Sequence, residues 1–430
     1  MSILATPLTL PCGLSVANRI VKAAMTEGLA DAQQHATPEL QRLYGWWAQS
    51  GAAVLLSGNV QIDHRVLERP GNVVLEDESG LDQLKTWADG VNAQGSQLWM
   101  QISHAGRQSF RYVTNEPMGP SAVPVQMMGQ IATPRALEEH EILDFIQRWA
   151  RAARWAEQAG FKGAQVHAAH GYLLSSFLSP LANRRSDRWG GSIENRARFL
   201  IETVRAIRKT VSSGFALSVK LNSADFQRGG FGPEDSQAVI AMLNDEGIDL
   251  LEISGGNYEQ PRLLGVTTQK NVDQAQLERT SQREAYFLRY AEEVRELAQM
   301  PLMVTGGFRT RATMEQAIES GVCQMIGLGR PFCVANDFVK PLLDGSLDQL
   351  PAPEQQLMQR QGFFSPFSPL KAIQMTYVMG AQGYYYRQLI RIGQGLPVET
   401  RIRLLANLMW HYRNELRTAA AVKRARKAKA

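Results

Sequence analysis

The sequence predicts an α/β fold, a (β/α)8 TIM barrel followed by a helical C-terminal extension. Apolar runs of strand length alternate with amphipathic stretches of helix length between residues 20 and 329. Such runs indicate a parallel sheet covered on both faces, and eight of them over some 330 residues favour closure into a barrel. No GxGxxG follows the first strand, which counts against the runner-up, an open doubly wound sheet. After Arg330 the alternation stops.

The eight expected strands are IVKAAM (20–25), AVLLS (53–57), QLWMQIS (97–103), GAQVH (163–167), FALSVKL (215–221), LLEIS (250–254), PLMVT (301–305) and QMIGLG (324–329). Helices are expected at 39–49, 80–94, 140–160, 192–210, 233–247, 281–299 and 311–321. Gly160 reads as the residue that ends its helix, Ser192 as an N-cap, Pro233 as a first-turn residue and Gly247 as a terminator. The barrel is assigned to residues 1–340. The Pro-, Asp- and Gly-rich stretch 341–356 reads as a linker, and two further helices complete the extension 341–430. In the second of them Leu404, Leu405, Leu408, Met409 and Tyr412 form an apolar stripe, suited to packing on the barrel or on a second copy in a homo-oligomer.

Composition narrows the class. With 44% hydrophobic and 20% charged residues the chain is a globular protein with a full core. No run of about 18 apolar residues suggests a membrane span, and MSILATPLTL lacks the features of an export signal, so cytoplasmic residence is expected. Three cysteines, Cys12, Cys323 and Cys333, suit neither a disulfide framework nor an iron–sulfur cluster, and no CxxC offers a zinc site. Of the net charge of +5, residues 341–430 contribute +8 (13 Lys/Arg against 5 Asp/Glu), leaving −3 for the rest. The terminal run VKRARKAKA reads first as a solvated helix end, with weak contact to an anionic surface as the alternative. The expected partner is a small-molecule substrate, not a nucleic acid.

Chemistry in a barrel sits at the carboxyl ends of the strands. The first strand ends in Ala24, Met25 and Thr26, followed by the acid Glu27; the second in Ser57, Gly58 and Asn59. Thr26 alone is a weak signal, since most such threonines are structural. Gln101 could present a donor and an acceptor to a flat heterocycle, while His104 and Arg107 follow in a loop where backbone could satisfy them. The fourth strand runs out through His167, Ala168, Ala169, His170, Gly171 and Tyr172. With no third ligand at a convincing spacing, the histidine pair fits a metal poorly. Two core histidines are the bland alternative. The preferred reading is two N–H donors that grip a carbonyl or nitro oxygen beside a phenolic proton donor. Lys220 is a lone cation in an apolar strand, needing either a cofactor that becomes anionic or a salt bridge in the core. Gly306 and Gly307 after the seventh strand, with Gly329 and Arg330 after the eighth, match the phosphate site of many barrels.

HAAHGYLLSSFLSPLANRRSDRWGGSIENRARFL (167–200) closely resembles the signature segment of the Old Yellow Enzyme family of flavin oxidoreductases. NRIVKAAMT (18–26), QISHAGR (101–107), VTGG (304–307) and GLGRP (327–331) resemble its other blocks in the same order, over about residues 1–340. The resemblance implies non-covalent FMN. Ala24, Met25 and Thr26 would lie against the isoalloxazine, with Thr26 near the O4/N5 edge and Asn59 close to the ring. Gln101 would bond the pyrimidine edge, Lys220 would face N1/O2, and Gly306, Gly307, Gly329 and Arg330 would hold the phosphate. His167 and His170 would bind the substrate oxygen and Tyr172 would supply a proton. The implied activity is NADH- or NADPH-dependent reduction of activated C=C bonds. An amine dehydrogenase or demethylase of the same family, and a non-catalytic flavoprotein scaffold, are the alternatives. Departures are Ala24 where many relatives have Pro, Asn59 where a small residue is common, and Lys220 in place of the usual Arg.

Overall fold

In the computed structural model, β1 (Ile20–Lys22), β2 (Val54–Leu56), β3 (Gln97–Ser103), β4 (Gly163–Ala168), β5 (Ala216–Asn222), β6 (Leu250–Ser254), β7 (Leu302–Thr305) and β8 (Met325–Leu328) pair in parallel in chain order. β8 also pairs with β1, so the ring closes. The structure describes residues 2–127, 129–255, 287–353, 355 and 362–429.

The period of two in each strand sorts side chains to two sides. Outward positions such as Ile20, Leu55, Leu98, Val166, Val219, Ile253 and Ile326 join Trp47, Trp87, Trp149 and Phe199 in the large core between barrel and helices. Those aromatics come from α1 (Pro38–Ala48), α2 (Leu81–Asn92), α3 (Glu139–Gln158) and, after the short α4 (Leu173–Leu178), α5 (Ile193–Arg208). Inward positions at the amino end, Val21, Val54, Trp99, Ala216, Leu250, Met303 and Met325, form a second cluster. It is plugged by Leu10 and Val16 of an N-terminal hairpin pairing Leu8–Thr9 with Ser15–Val16. Farther along the same strands the inward positions turn polar, which places the site at the carboxyl end.

The expected helix ends hold: Ser192 caps α5 by accepting from the Asn195 amide, Pro233 opens α6 (Pro233–Leu243), and Gly160 and Gly247 adopt φ of +90° and +65°. Residues 287–294 are helical within the expected 281–299, of which 281–286 lie outside the described residues. Arg311–Glu319 is α7. The first strand is shorter than expected, because after Ala23, whose amide donates to the Leu328 carbonyl at 2.8 Å, the chain leaves the barrel to build its mouth.

Inward Gly327 on β8 faces Thr305 on β7; a Cβ there would lie 2.0 Å from Thr305 Oγ1. Gly327→Ala is therefore expected to cost about 1–3 kcal/mol of stability by overpacking. Chemical denaturation checks this, and Thr305→Ala in the same chain should restore part of the loss.

The extension departs from its reading in two respects. The stretch read as a linker begins inside α8 (Val339–Asp344) and stays on the barrel, with the Leu350 amide donating to the Arg309 carbonyl at 2.8 Å and Arg311 paired to Asp348. The two further helices are α9 (Lys371–Gly393) and α10 (Leu404–Lys429), but of the apolar stripe only Leu404 is buried, against Tyr377, Tyr384 and Ile402. Leu405 and Met409 are 64% and 61% exposed, while Asn407, His411 and Glu415 are buried. A polar face can be buried because it finds partners: Asn407 accepts from Arg387 at 3.1 Å and Glu415 pairs with Arg69. Among the described residues no helix is long and apolar enough to cross a membrane.

Candidate active site

A buried polar chain crosses the barrel beneath its mouth. Gln101 Nε2 on β3 donates to Gln165 Oε1 on β4 at 2.8 Å. Gln165 Nε2 donates to Glu252 Oε2 on β6 at 2.8 Å and lies 3.2 Å from Ser218 Oγ on β5. Glu252 Oε1 lies 2.8 Å from Lys220 Nζ. Lys220 and Glu252 are register partners on adjacent strands, so the core salt bridge left open by the sequence is present. Gln165 and Glu252 were missed, although the alternation Gln165–His167 and Glu252–Ser254 marks both as inward-facing.

At the end of β4, His167, which is level with Lys220 in the strand register, comes together with His170 and Tyr172. The His167 ring centroid lies 5.2 Å from that of His170 and 4.9 Å from that of Tyr172, both edge-on. The Ala169 amide donates to His167 Nδ1 at 3.2 Å, which puts the ring proton of the neutral imidazole on Nε2. His170 Nε2 lies 2.7 Å from Ser254 Oγ, a partner sequence reasoning did not name. Burial, with Lys220 adding to it, holds both imidazoles well below the ordinary histidine value, so both are neutral near pH 7. His170 has φ of +63°, a conformation uncommon for a residue with a Cβ. It is fixed by its amide donating to Asn222 Oδ1 at 3.1 Å and by Gln108 Nε2 donating to its carbonyl at 2.8 Å. His104, in contrast, is turned into the barrel–helix layer against Phe145, and its Nδ1 accepts from the Gly106 amide at 2.9 Å.

Ala24, Met25 and Thr26 remain partly exposed where the chain leaves β1. Asn59 Nδ2 reaches Thr26 Oγ1 at 3.5 Å, joining the first two strand ends. Glu27 is not an open acid at the mouth. It is buried, bonded to the Tyr44 hydroxyl, and accepts from the Gly58 amide at 2.8 Å. Behind it lies fully buried Lys22, which donates to Tyr44 Oη at 3.0 Å and to the Leu56 carbonyl at 2.6 Å, and sits 4.2 Å from the Trp47 ring centroid. Burial pushes its ammonium down to about 8. This staple holds the Met25–Glu27 segment against the end of β2.

On the β7–β8 side, Gly306 and Gly307 have φ of +109° and +92°. A Cβ on Gly306 would meet nothing within 4 Å, and one on Gly329 only the Met25 side chain. Thr305 Oγ1, at the end of β7, is buried without a hydrogen-bond partner. Bare backbone and an unsatisfied hydroxyl are features to which an anion can bond, and Arg330 follows Gly329 in the chain.

Residues 4–348 match the model of the NADH:flavin oxidoreductase / NADH oxidase family. The chain is 36% identical over 351 residues to the NADH-dependent flavin oxidoreductase iliE of Hypocrea jecorina (strain QM6a), covering 76% of this chain and 86% of that one. It resembles the structure of the Old Yellow Enzyme homologue from Zymomonas mobilis with a TM-score of 0.67 and 25% identity, covering 84% and 97% of the two chains. With 2-naphthoyl-CoA reductase in complex with 2-naphthoyl-CoA the TM-score is 0.72 and the identity 28%, over 80% of this chain and 52% of that one, so the chain spans about half of that reductase. The closed barrel, its polar mouth and these matches lead to one assignment: the chain belongs to the NADH:flavin oxidoreductase / NADH oxidase family, the Old Yellow Enzyme family, whose cofactors are FMN and NADH or NADPH.

Proposed function

We propose that this protein reduces activated C=C bonds of α,β-unsaturated carbonyl or related compounds, with FMN bound in the barrel mouth and NADH or NADPH as electron donor. The observation that carries this reading is the cluster of two neutral imidazoles, His167 buried and His170 half-buried, with a buried phenol at the carboxyl end of β4.

The residues present fit FMN. The unsatisfied Thr305 hydroxyl, the open backbone of Gly306 and Gly329, the left-handed Gly307 and Arg330 suit its phosphate. Gln101 and Lys220 suit the pyrimidine side of the ring, and Ala24, Met25, Thr26 and Asn59 suit the opposite edge. The chemistry FMN supplies when bound is two-electron hydride exchange, first with the nicotinamide and then with the electron-poor alkene. His167 offers Nε2–H to the substrate's carbonyl oxygen, and His170, held by Ser254, is the second donor. Because both rings are neutral, they stabilise developing negative charge by hydrogen bonding without giving up a full proton. Tyr172, buried beside His167, delivers the proton to the α-carbon.

Arg330→Ala is expected to raise the Kd for FMN by roughly ten- to a hundredfold, the loss of a charge-assisted bond worth about 1.5–3 kcal/mol. Fluorescence of released FMN measures it, and an unchanged Kd would move the phosphate site elsewhere. The reading as a whole is tested by supplying 2-cyclohexenone with NADH or NADPH and identifying products. Cyclohexanone formed one-for-one with nicotinamide oxidised supports it. Nicotinamide oxidation that consumes only oxygen and yields no saturated ketone overturns it.

A further inference from the structure

The helices α9 and α10 of the basic extension lie beyond the family match, yet they reach the proposed active site. Arg69, in the connection between β2 and α2, is only 3% exposed. Its Nη1 donates to the Thr26 carbonyl at 3.3 Å. Its Nη2 and Nε donate to the two carboxylate oxygens of Glu415 on α10, at 2.5 and 3.2 Å. Its guanidinium carbon sits 3.7 Å from the ring centroid of Tyr386 on α9, and that ring stacks on His411 of α10 at 5.2 Å. Burial works to raise the Glu415 carboxyl, but the Arg69 cation outweighs it and holds the carboxyl below its ordinary value.

The backbone on either side of this clasp is interlocked. The Ala30 amide donates to the Gly71 carbonyl at 3.0 Å, and a Cβ on Gly71 would lie 2.6 Å from the Gly28 carbonyl oxygen. Near its end α10 bonds again to the same connection, Arg426 donating to the His64 carbonyl. The two loops that carry Thr26 and Arg69 are thus held together from outside by the extension.

A buried guanidinium needs a counter-charge, and a lone one one peptide away from a flavin edge would stabilise the electron-rich reduced ring. We propose that the C-terminal helices are a working part of the active site: Glu415 fixes and neutralises Arg69 on the carbonyl of Thr26, setting both the position of Thr26 and the charge at the flavin edge it faces. Arg69 and Glu415 are positioning residues. The inference rests on the reading that FMN binds with Thr26 at its O4/N5 edge.

The test is the midpoint potential of FMN in the purified holoenzyme, with amide hydrogen exchange over residues 24–29. In Glu415→Gln the unmasked Arg69 should shift the potential positive and speed exchange in that segment. In the double variant Arg69→Met/Glu415→Leu, which removes both charges, the potential should return toward wild type while exchange stays fast. Should Glu415→Gln fail to fold, the double variant, which lacks both charges of the pair and leaves only the neighbouring buried Glu68, still carries the test through its exchange and its near-native potential. A folded Glu415→Gln holoenzyme with unchanged potential and exchange overturns the proposal alone. A double variant shifted as far as the single overturns the charge argument. A wild-type protein that binds no FMN overturns the functional reading, and this inference with it.

Discussion

Replacing Glu252 with alanine is expected to destabilise the protein by about 3–5 kcal/mol, among the largest single-residue costs in the barrel. Glu252 is fully buried, lies 2.8 Å from Lys220 Nζ and accepts from Gln165 at 2.8 Å. Truncation leaves a buried cation without its counter-charge and Gln165 without one of its acceptors, in a layer water reaches poorly. Glu252→Gln should cost less, because it keeps the bond geometry and loses only the charge. Urea unfolding of holo and apo protein measures both. If FMN stabilises Lys220, as the proposed binding mode implies, the holo protein will tolerate the glutamine better than the apo protein does. An alanine variant that unfolds at the wild-type urea midpoint would show that the polar chain does not hold the barrel.

Tyr172→Phe should slow reoxidation of the enzyme by an enone by about 10²–10⁴-fold, the usual worth of a positioned general acid, while reduction by NADH or NADPH proceeds at nearly the native rate. The substitution keeps the ring and its edge contact with His167 and removes only the hydroxyl. Stopped-flow measurement of the two half-reactions separates them. Equal slowing of both would assign Tyr172 to positioning rather than to proton transfer.

Much of the fold was legible because it is periodic. Short buried strands alternating with capped helices are local signals, and Ser192, Pro233 and Gly160 do what their types dictate. The β4 cluster was legible for the same reason, since His167, His170 and Tyr172 lie within six positions of one strand end. Partners far apart in sequence were not. Lys220 stood out as a cation in an apolar strand, but its counter-ion sits inside LLEIS, and only strand register brings the two together. Lys22 drew no reading from the sequence, because its surroundings come from α1, which places Tyr44 and Trp47 around it. Beyond Leu404, which is buried, the α10 stripe misled because hydrophobic periodicity assumes that a helix buries its apolar face. Here Glu415 and His411 are buried instead, through partners 346 positions away in one case.

The measurement that bears most directly on the account is an anaerobic titration followed by visible absorbance. The purified protein should show a bound flavin spectrum that bleaches on adding NADH or NADPH and recovers fully on adding 2-cyclohexenone, with one enone consumed per flavin reoxidised. A flavin that bleaches but is not recovered by the enone would contradict the ene-reductase reading, and a protein that holds no flavin even after FMN is added would contradict the site itself.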